Sequence, residues 1–66
     1  MHTLYIYSTE TNEVVARIHG ESNEAIEAKM AELNYDGSDD FGATYSPAFG
    51  TNDGLIDSDG AVDYDA

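Results

Sequence analysis

Basic side chains and cysteine are what this 66-residue chain lacks most conspicuously. Arg17 and Lys29 face fourteen acidic residues, so the formal net charge is -12. With so few cations, direct binding to nucleic-acid phosphates is excluded. The absence of cysteine excludes disulfides and thiolate metal sites, which suits a reducing cytoplasm. Residues 1–66 are therefore expected to form a single small domain.

Long hydrophobic runs are missing as well. No apolar stretch approaches the ~20 residues that span a bilayer, and "MHTLYIYSTE" has neither the basic start nor the apolar length of a signal peptide. We therefore expect a soluble protein without membrane contact. Leu, Ile, Val and Phe make up only twelve residues, a level typical of disorder when the net charge is high. Five tyrosines and a regular apolar spacing nevertheless favour a folded core.

Two alternating segments open the chain. In "TLYIYS", Leu4 and Ile6 fall on one face of a strand predicted over residues 2–8. "VVARIHG" alternates in the same way, and the polar "TETNE" between the two segments is typical of a turn. The pattern predicts a β-hairpin that ends at Gly20.

An amphipathic helix is predicted next, over residues 23–34. Ser22 is a suitable N-cap, and Ile26, Met30 and Leu33 recur at helical spacing. The turn residues of "YDGSDD" would end this helix. Beyond it, strands are predicted near 42–46 and 54–57, joined as a second hairpin, while residues 61–65 either extend along a sheet edge or form a tail. The fold class is α+β: a small antiparallel sheet of three to four strands with one helix, in the order ββαββ.

Catalytic and metal-binding patterns are weak. His2 and His19 could act as bases, but no nucleophile motif accompanies them. "DSDG" resembles a calcium loop, yet placing Gly60 at the sixth position puts Ala66 at the twelfth, where a carboxylate is required. We predict no enzyme activity, no metal and no cofactor. A calcium-dependent or carboxylate enzyme is the alternative, and it would show a saturable change of melting temperature with added calcium or magnesium.

Acidic residues dominate the second half of the chain. Nine of the fourteen follow Lys29, and no basic residue does. Across a body roughly 28 Å wide, the net charge amounts to about one per 2.3 Å, against about one per 1.7 Å along duplex DNA. Either this charge only keeps the surface hydrated, or it mimics phosphates and binds a basic partner. The candidate partner-binding carboxylates are Asp36, Asp39, Asp40, Asp53, Asp57, Asp59, Asp63 and Asp65.

Aromatic residues offer a second candidate surface. The hairpin face opposite Leu4 and Ile6 would carry Tyr5, Tyr7 and Arg17, residue types enriched at interface hot spots. Either this face binds a partner, or Tyr45, Phe49 or Tyr64 packs over it. Tyr5, Tyr7 and Tyr64 are included among the predicted partner contacts. A small interaction module of phage origin that uses this face is the alternative function.

In its size, charge and layout, the whole chain resembles the small phage and mobile-element proteins that inhibit bacterial defence systems. It is most similar in character to acidic anti-CRISPR proteins, such as inhibitors of a type I-C Cascade complex. The resemblance implies a non-enzymatic DNA mimic in the bacterial cytoplasm. Such a protein binds a Cas subunit and blocks DNA where the protospacer-adjacent motif is read. We expect a monomer, since a dimer would have to hold two acidic bodies together.

Overall fold

Four strands and one helix make up the regular structure of the described residues. A computed structural model describes residues 1–37, 39–52 and 54–66. The elements are β1 His2–Ser8, β2 Val14–Gly20, α1 Asn23–Glu32, β3 Phe41–Thr44 and β4 Val62–Asp65. The α+β class is confirmed. None of the described residues forms a helix long and apolar enough to cross a membrane.

The β1–β2 hairpin forms where the alternating pattern predicts it. Its turn is closed by the Ser8 N–H donating to the Glu13 carbonyl at 2.9 Å and the Asn12 N–H donating to the Ser8 carbonyl at 2.8 Å. Asn12 adopts φ 61°, a left-handed conformation that asparagine tolerates better than most residues. The polar turn chemistry between the two strands thus has a specific geometric role.

Helix α1 begins as predicted but ends two residues early. The Ser22 Oγ accepts a hydrogen bond from the Ala25 N–H at 3.2 Å, which confirms the N-cap. At the other end Asn34 has φ 64°, and the Tyr35 N–H reaches back to the Met30 carbonyl at 3.2 Å. This is a Schellman cap. Asn34, rather than the later Gly37 cluster, therefore ends the helix.

The core lies between α1 and one face of the sheet. Five buried side chains form one cluster: Leu4, Ile6, Ala16, Ile18 and Ile26. Ile26 is the helix's buried contribution, while Met30 and Leu33 are only partly buried. A Cβ added to Gly20 would stand 2.8 Å from the Ile26 Cγ1. Glycine at the end of β2 therefore permits the close approach of the helix.

The sheet is mixed, so the prediction of an all-antiparallel sheet was wrong. Its strand order is β3-β1-β2-β4, with β3 antiparallel to β1 and β4 parallel to β2. Strands β1 and β2 each have one edge that the hairpin does not use. Strand β3 pairs with the free edge of β1, and β4 pairs with the free edge of β2. They therefore lie on opposite sides of the sheet and cannot pair as a hairpin.

The predicted order ββαββ is matched only approximately, because the last strand comes from a different segment. Residues 54–57 contribute a single bridge, in which the Ile56 N–H donates to the Asn12 carbonyl and the Val14 N–H donates to the Ile56 carbonyl, both at 2.9 Å. The turn-forming residues 57–61 then leave the sheet edge before β4 rejoins it beside Ala16. The alternative placement of 61–65 along a sheet edge is the one observed.

Candidate partner-binding surface

Acidic side chains cover the outside of the molecule. All thirteen acidic residues that the structure describes are exposed, and Asp53, the fourteenth, lies outside the described residues. Lys29 donates to Glu32 at 2.7 Å, and Arg17 is paired with Asp57 and Asp63. Both basic residues are thus engaged within the chain, so the rest of the charged surface is negative.

The predicted carboxylates fall into two groups rather than one row. Three of them precede β3 and are called the β3-edge acids: Asp36, Asp39 and Asp40. Four others lie in β4 or just before it, at the opposite edge of the sheet, and are called the β4-edge acids: Asp57, Asp59, Asp63 and Asp65. With two strands between β3 and β4, their axes are about 14 Å apart. A partner that contacts both groups must therefore reach across the sheet.

Arg17 brings two of the β4-edge acids together. The parallel register places Arg17 beside Asp63, and its Nε donates to the Asp63 Oδ1 at 2.8 Å. Its Nη1 donates to the Asp57 Oδ1 at 2.9 Å. The His19 Nε2 lies 3.0 Å from the same Asp63 oxygen, and the Thr3 Oγ1 lies 3.1 Å from the His19 Nδ1. We call these five residues the Arg17 cluster.

The electrostatics of the cluster keep Asp63 ionised. Hydrogen bonds from Arg17 and then from His19 lower the pKa of Asp63 to about 2, against an opposing effect of desolvation. The hydrogen bond to Asp63 likewise raises the pKa of Arg17. The guanidinium cancels one of the two negative charges around it. Asp57 and Asp63 are therefore less available to an outside cation than Asp59 and Asp65, which form no ion pair with Arg17 or Lys29.

The predicted tyrosine face is only partly covered. The ring of Phe49 packs edge-on against Tyr5, with centroids 5.3 Å apart and planes at 85°. Tyr7 lies across Gly42 of β3, where a Cβ would overlap its ring and hydroxyl. Both tyrosines remain half-buried. Phe49 thus covers Tyr5, as the second interpretation of this face required.

Tyr64 lies on the other face of the sheet. It pairs with Ile18 in the register and packs against the core beside α1. Burial, followed by a hydrogen bond with Tyr64, raises the pKa of Tyr35, whose ring also meets Phe41 at 5.1 Å. Tyr64 therefore packs β4 against the core and does not share a surface with Tyr5 and Tyr7.

In the described part of the chain, the geometry gives little support to metal binding or to acid–base catalysis. No three His, Asp or Glu side chains there are close enough together to hold a metal ion. An open groove of about 670 Å³ separates the hairpin turn from residues 49–52 and 54–57, and Asp57 is the one ionisable residue among the described lining. Its other walls include Asn12, Phe49 and Ile56. The described lining of the groove offers no pair of acid and base groups.

Sequence reasoning treated the late aspartates as uncompensated and so missed the Arg17 cluster. The available signal was that Arg17 is the one basic residue in either hairpin strand. An acidic strand beside β2 would place carboxylates next to it. No protein-family model matches the chain, and neither a curated protein nor a solved structure matches it.

Proposed function

We propose that the chain is a non-enzymatic inhibitor that binds the basic, nucleic-acid-binding surface of another protein and keeps nucleic acid from it. One observation carries this proposal: every described acidic side chain is exposed, while both basic side chains are held within the chain. An approaching protein therefore meets negative charge around the molecule. Such a field attracts basic surfaces and repels nucleic acid itself.

The magnitude of the charge supports mimicry of phosphates. The long axis of the molecule measures 30 Å, so the net charge of -12 amounts to about one charge per 2.5 Å, compared with about one per 1.7 Å along duplex DNA. A groove that accommodates DNA would thus meet a similar density of negative charge. Carboxylates that pair with Arg and Lys there would form charge-assisted hydrogen bonds.

The contacts would divide between charge and aromatic area. Asp36, Asp39, Asp59 and Asp65 are exposed and form no ion pair with Arg17 or Lys29, so they would engage the partner first. Asp57 and Asp63 would act with their positions fixed by Arg17. Tyr5 and Tyr7 would add the apolar contact that exposed ion pairs alone do not supply.

The resemblance to acidic anti-CRISPR proteins names the first target to test. We place the inhibitor in the bacterial cytoplasm, acting as a monomer on the DNA-binding surface of a Cas subunit of Cascade. The protein itself would contact neither nucleic acid nor membrane. Binding at that surface would prevent recognition of the protospacer-adjacent motif by occupancy and without chemistry.

A gel-shift titration tests this function. Purified type I-C Cascade with its target DNA is titrated with the protein at two salt concentrations. We expect loss of the shifted band, reversal by excess DNA and a weaker effect at higher salt, because exposed charge pairs are screened. An unchanged band at both salt concentrations would remove Cascade as the target. Loss of the band without reversal by DNA would contradict competition for the DNA site.

The second candidate function is a protein interaction module that uses the tyrosine face. It is favoured by the partial cover over Tyr5 and Tyr7, which leaves aromatic area half-exposed. Replacing both tyrosines with alanine separates the two functions. The mimic predicts a modest loss of partner binding, whereas the module predicts a complete loss; circular dichroism would confirm that the variant is folded.

A further inference from the structure

The two edges of the sheet differ in how they are protected. Edge strands are normally guarded by charge, bulges or shortness, because their free backbone groups can pair with another chain. At one edge β4 carries Asp63 and Asp65, and residues 57–61 loop out before it. At the other edge β3 is Phe41-Gly-Ala-Thr44, without a charge or a proline. Within β3 itself, shortness is the protection that remains.

The direction of the free backbone groups on β3 follows from the ladder. The Thr9 N–H donates to the Asp40 carbonyl at 3.0 Å, while the Ser8 N–H donates to Glu13 on the other side. Antiparallel ladders alternate in this respect. The N–H and carbonyl groups of Gly42 and Thr44 therefore face β1, and those of Phe41 and Ala43 face outward. Ala43 is itself exposed.

An aromatic ring extends over the same edge. Tyr7 of β1 pairs with Gly42, and its ring and hydroxyl fill the space where a side chain on Gly42 would stand. The far end of the ring thus lies over β3, on the face opposite the helix. A cationic side chain on an added strand would meet this ring, an arrangement that favours Lys and Arg.

We propose that the outer edge of β3 binds an extended, basic segment of a partner protein by strand addition. Phe41 and Ala43 would supply the backbone hydrogen bonds, Tyr7 would stack against a Lys or Arg side chain, and the exposed Asp36 and Asp39 would attract the segment's charge. A second copy of the chain is the wrong occupant, since each copy carries a net charge of -12. The proposal rests on the proposed function only for the basic character of the partner.

The probe is a capped octapeptide of alternating Lys and Thr, titrated into the isotopically labelled protein. We expect saturable amide shifts over residues 41–44 and at Tyr7, with hydrogen exchange of the Phe41 and Ala43 amides slowed at least about tenfold. The same peptide N-methylated at its four central residues keeps the charge but loses its N–H donors. It should bind at least about tenfold more weakly.

Two variants at one position complete the test. Ala43→Pro removes an outward N–H without breaking the ladder to β1 and should abolish peptide binding. Ala43→Val keeps the N–H and should bind like the wild type. Equal binding of the two peptides, equal binding of the two variants, or slowed exchange at β4 in place of β3 would overturn the proposal. Protection of Phe41 and Ala43 that rises with protein concentration, without peptide, would instead identify a second copy as the occupant.

These measurements contain no nucleic acid, so their outcome is separate from that of the gel shift. Strand addition fails if the peptide does not bind at β3, even where the protein displaces DNA from a partner. Conversely, peptide binding at β3 without displacement of DNA would leave strand addition standing and contradict the mimic.

Discussion

Residues 1–35 and residues 36–66 stabilise the molecule in different ways. All six buried hydrophobic residues lie between Leu4 and Ile26, and none of the described residues after position 35 is buried. The acids of the first region are all glutamates, which helices tolerate well, whereas those of the second are all aspartates, which favour turns. Both basic residues belong to the first region.

The region with the greatest charge is therefore stabilised by contacts with the other region. Residues 36–66 carry eight aspartates and no cation, so their self-repulsion opposes local folding. Their strands attach through backbone ladders to β1 and β2, through Arg17 to Asp57 and Asp63, and through Tyr35 to Tyr64. The first region therefore acts as a scaffold on which the second displays its carboxylates.

The largest effect is expected from a substitution that leaves a cavity in the core of residues 1–35. Ile18→Ala should lower the free energy of unfolding by about 2–5 kcal/mol, a large part of the roughly 3–10 kcal/mol expected for this chain length. Val62→Ala in the second region, at a site 50% exposed, should cost under ~1 kcal/mol. Urea denaturation followed by circular dichroism measures both changes. Equal losses of the free energy of unfolding in the two variants would contradict the placement of the stabilising core in residues 1–35.

A smaller effect is expected where the two regions meet. Gly20→Ala would bring a Cβ within 2.8 Å of the Ile26 Cγ1 and 3.1 Å of the Ala66 Cβ. We expect a loss of about 1–3 kcal/mol in the same denaturation experiment, because the helix must shift. Gly37→Ala is the matched control, since nothing lies within 4 Å of the added Cβ. If Gly37→Ala costs as much as Gly20→Ala, close packing at Gly20 is not the cause.

Removing the guanidinium should loosen the second region without unfolding the first. In Arg17→Met, the Ala66 N–H, which donates to the His19 carbonyl at 2.7 Å, should exchange faster while the amides of β1 keep their protection. Lys29→Met provides the control because it breaks only the exposed pair with Glu32. Unchanged exchange at Ala66 in Arg17→Met would show that the ion pairs do not hold β4.

Acidification should have the smallest and most local effect. The pKa of Asp63 is lowered from an ordinary value near 3.8 to about 2, so its stabilising contribution is present above pH ~4 and is lost as the pH falls toward ~2. Titration of the Asp63 carboxyl by carbon NMR measures the shift. Arg17→Met should return the pKa toward its ordinary value; if it does not, the guanidinium is not the main cause.

Sequence reasoning succeeded where structure is local. The alternation around Leu4 and Ile6, and the Ser22 cap, depend on neighbours a few residues apart, so β1, β2 and the helix start could be predicted. The helix end was predicted too late because Asn34 was not recognised as a left-handed cap. That cap depends on the left-handed conformation of a single residue. The turn residues just beyond it in the sequence led to a later prediction of the helix end.

In the second region a strand near 42–46 was predicted, and residues 61–65 along a sheet edge were one of two alternatives. The pairing of these segments could not be predicted, because it depends on distant partners. Segment 62–65 has few apolar residues, and its pairing with β2 depends on a free edge and on Arg17, 46 positions before Asp63. Nothing within "VDYD" indicates a parallel neighbour. The candidate acids could be identified from charge alone, but their division between two edges and the neutralisation by Arg17 required the topology.

We propose that exposed carboxylates of residues 36–66 bind the partner. Two variants with the same change of net charge test it most directly in the Cascade gel shift: Asp36, Asp39, Asp59 and Asp65 to asparagine, and Glu10, Glu13, Glu21 and Glu24 to glutamine. All eight side chains are exposed, and the Arg17 cluster is untouched. We predict that the aspartate variant inhibits at least about tenfold more weakly than the glutamate variant. Equal inhibition by the two variants would contradict the claim.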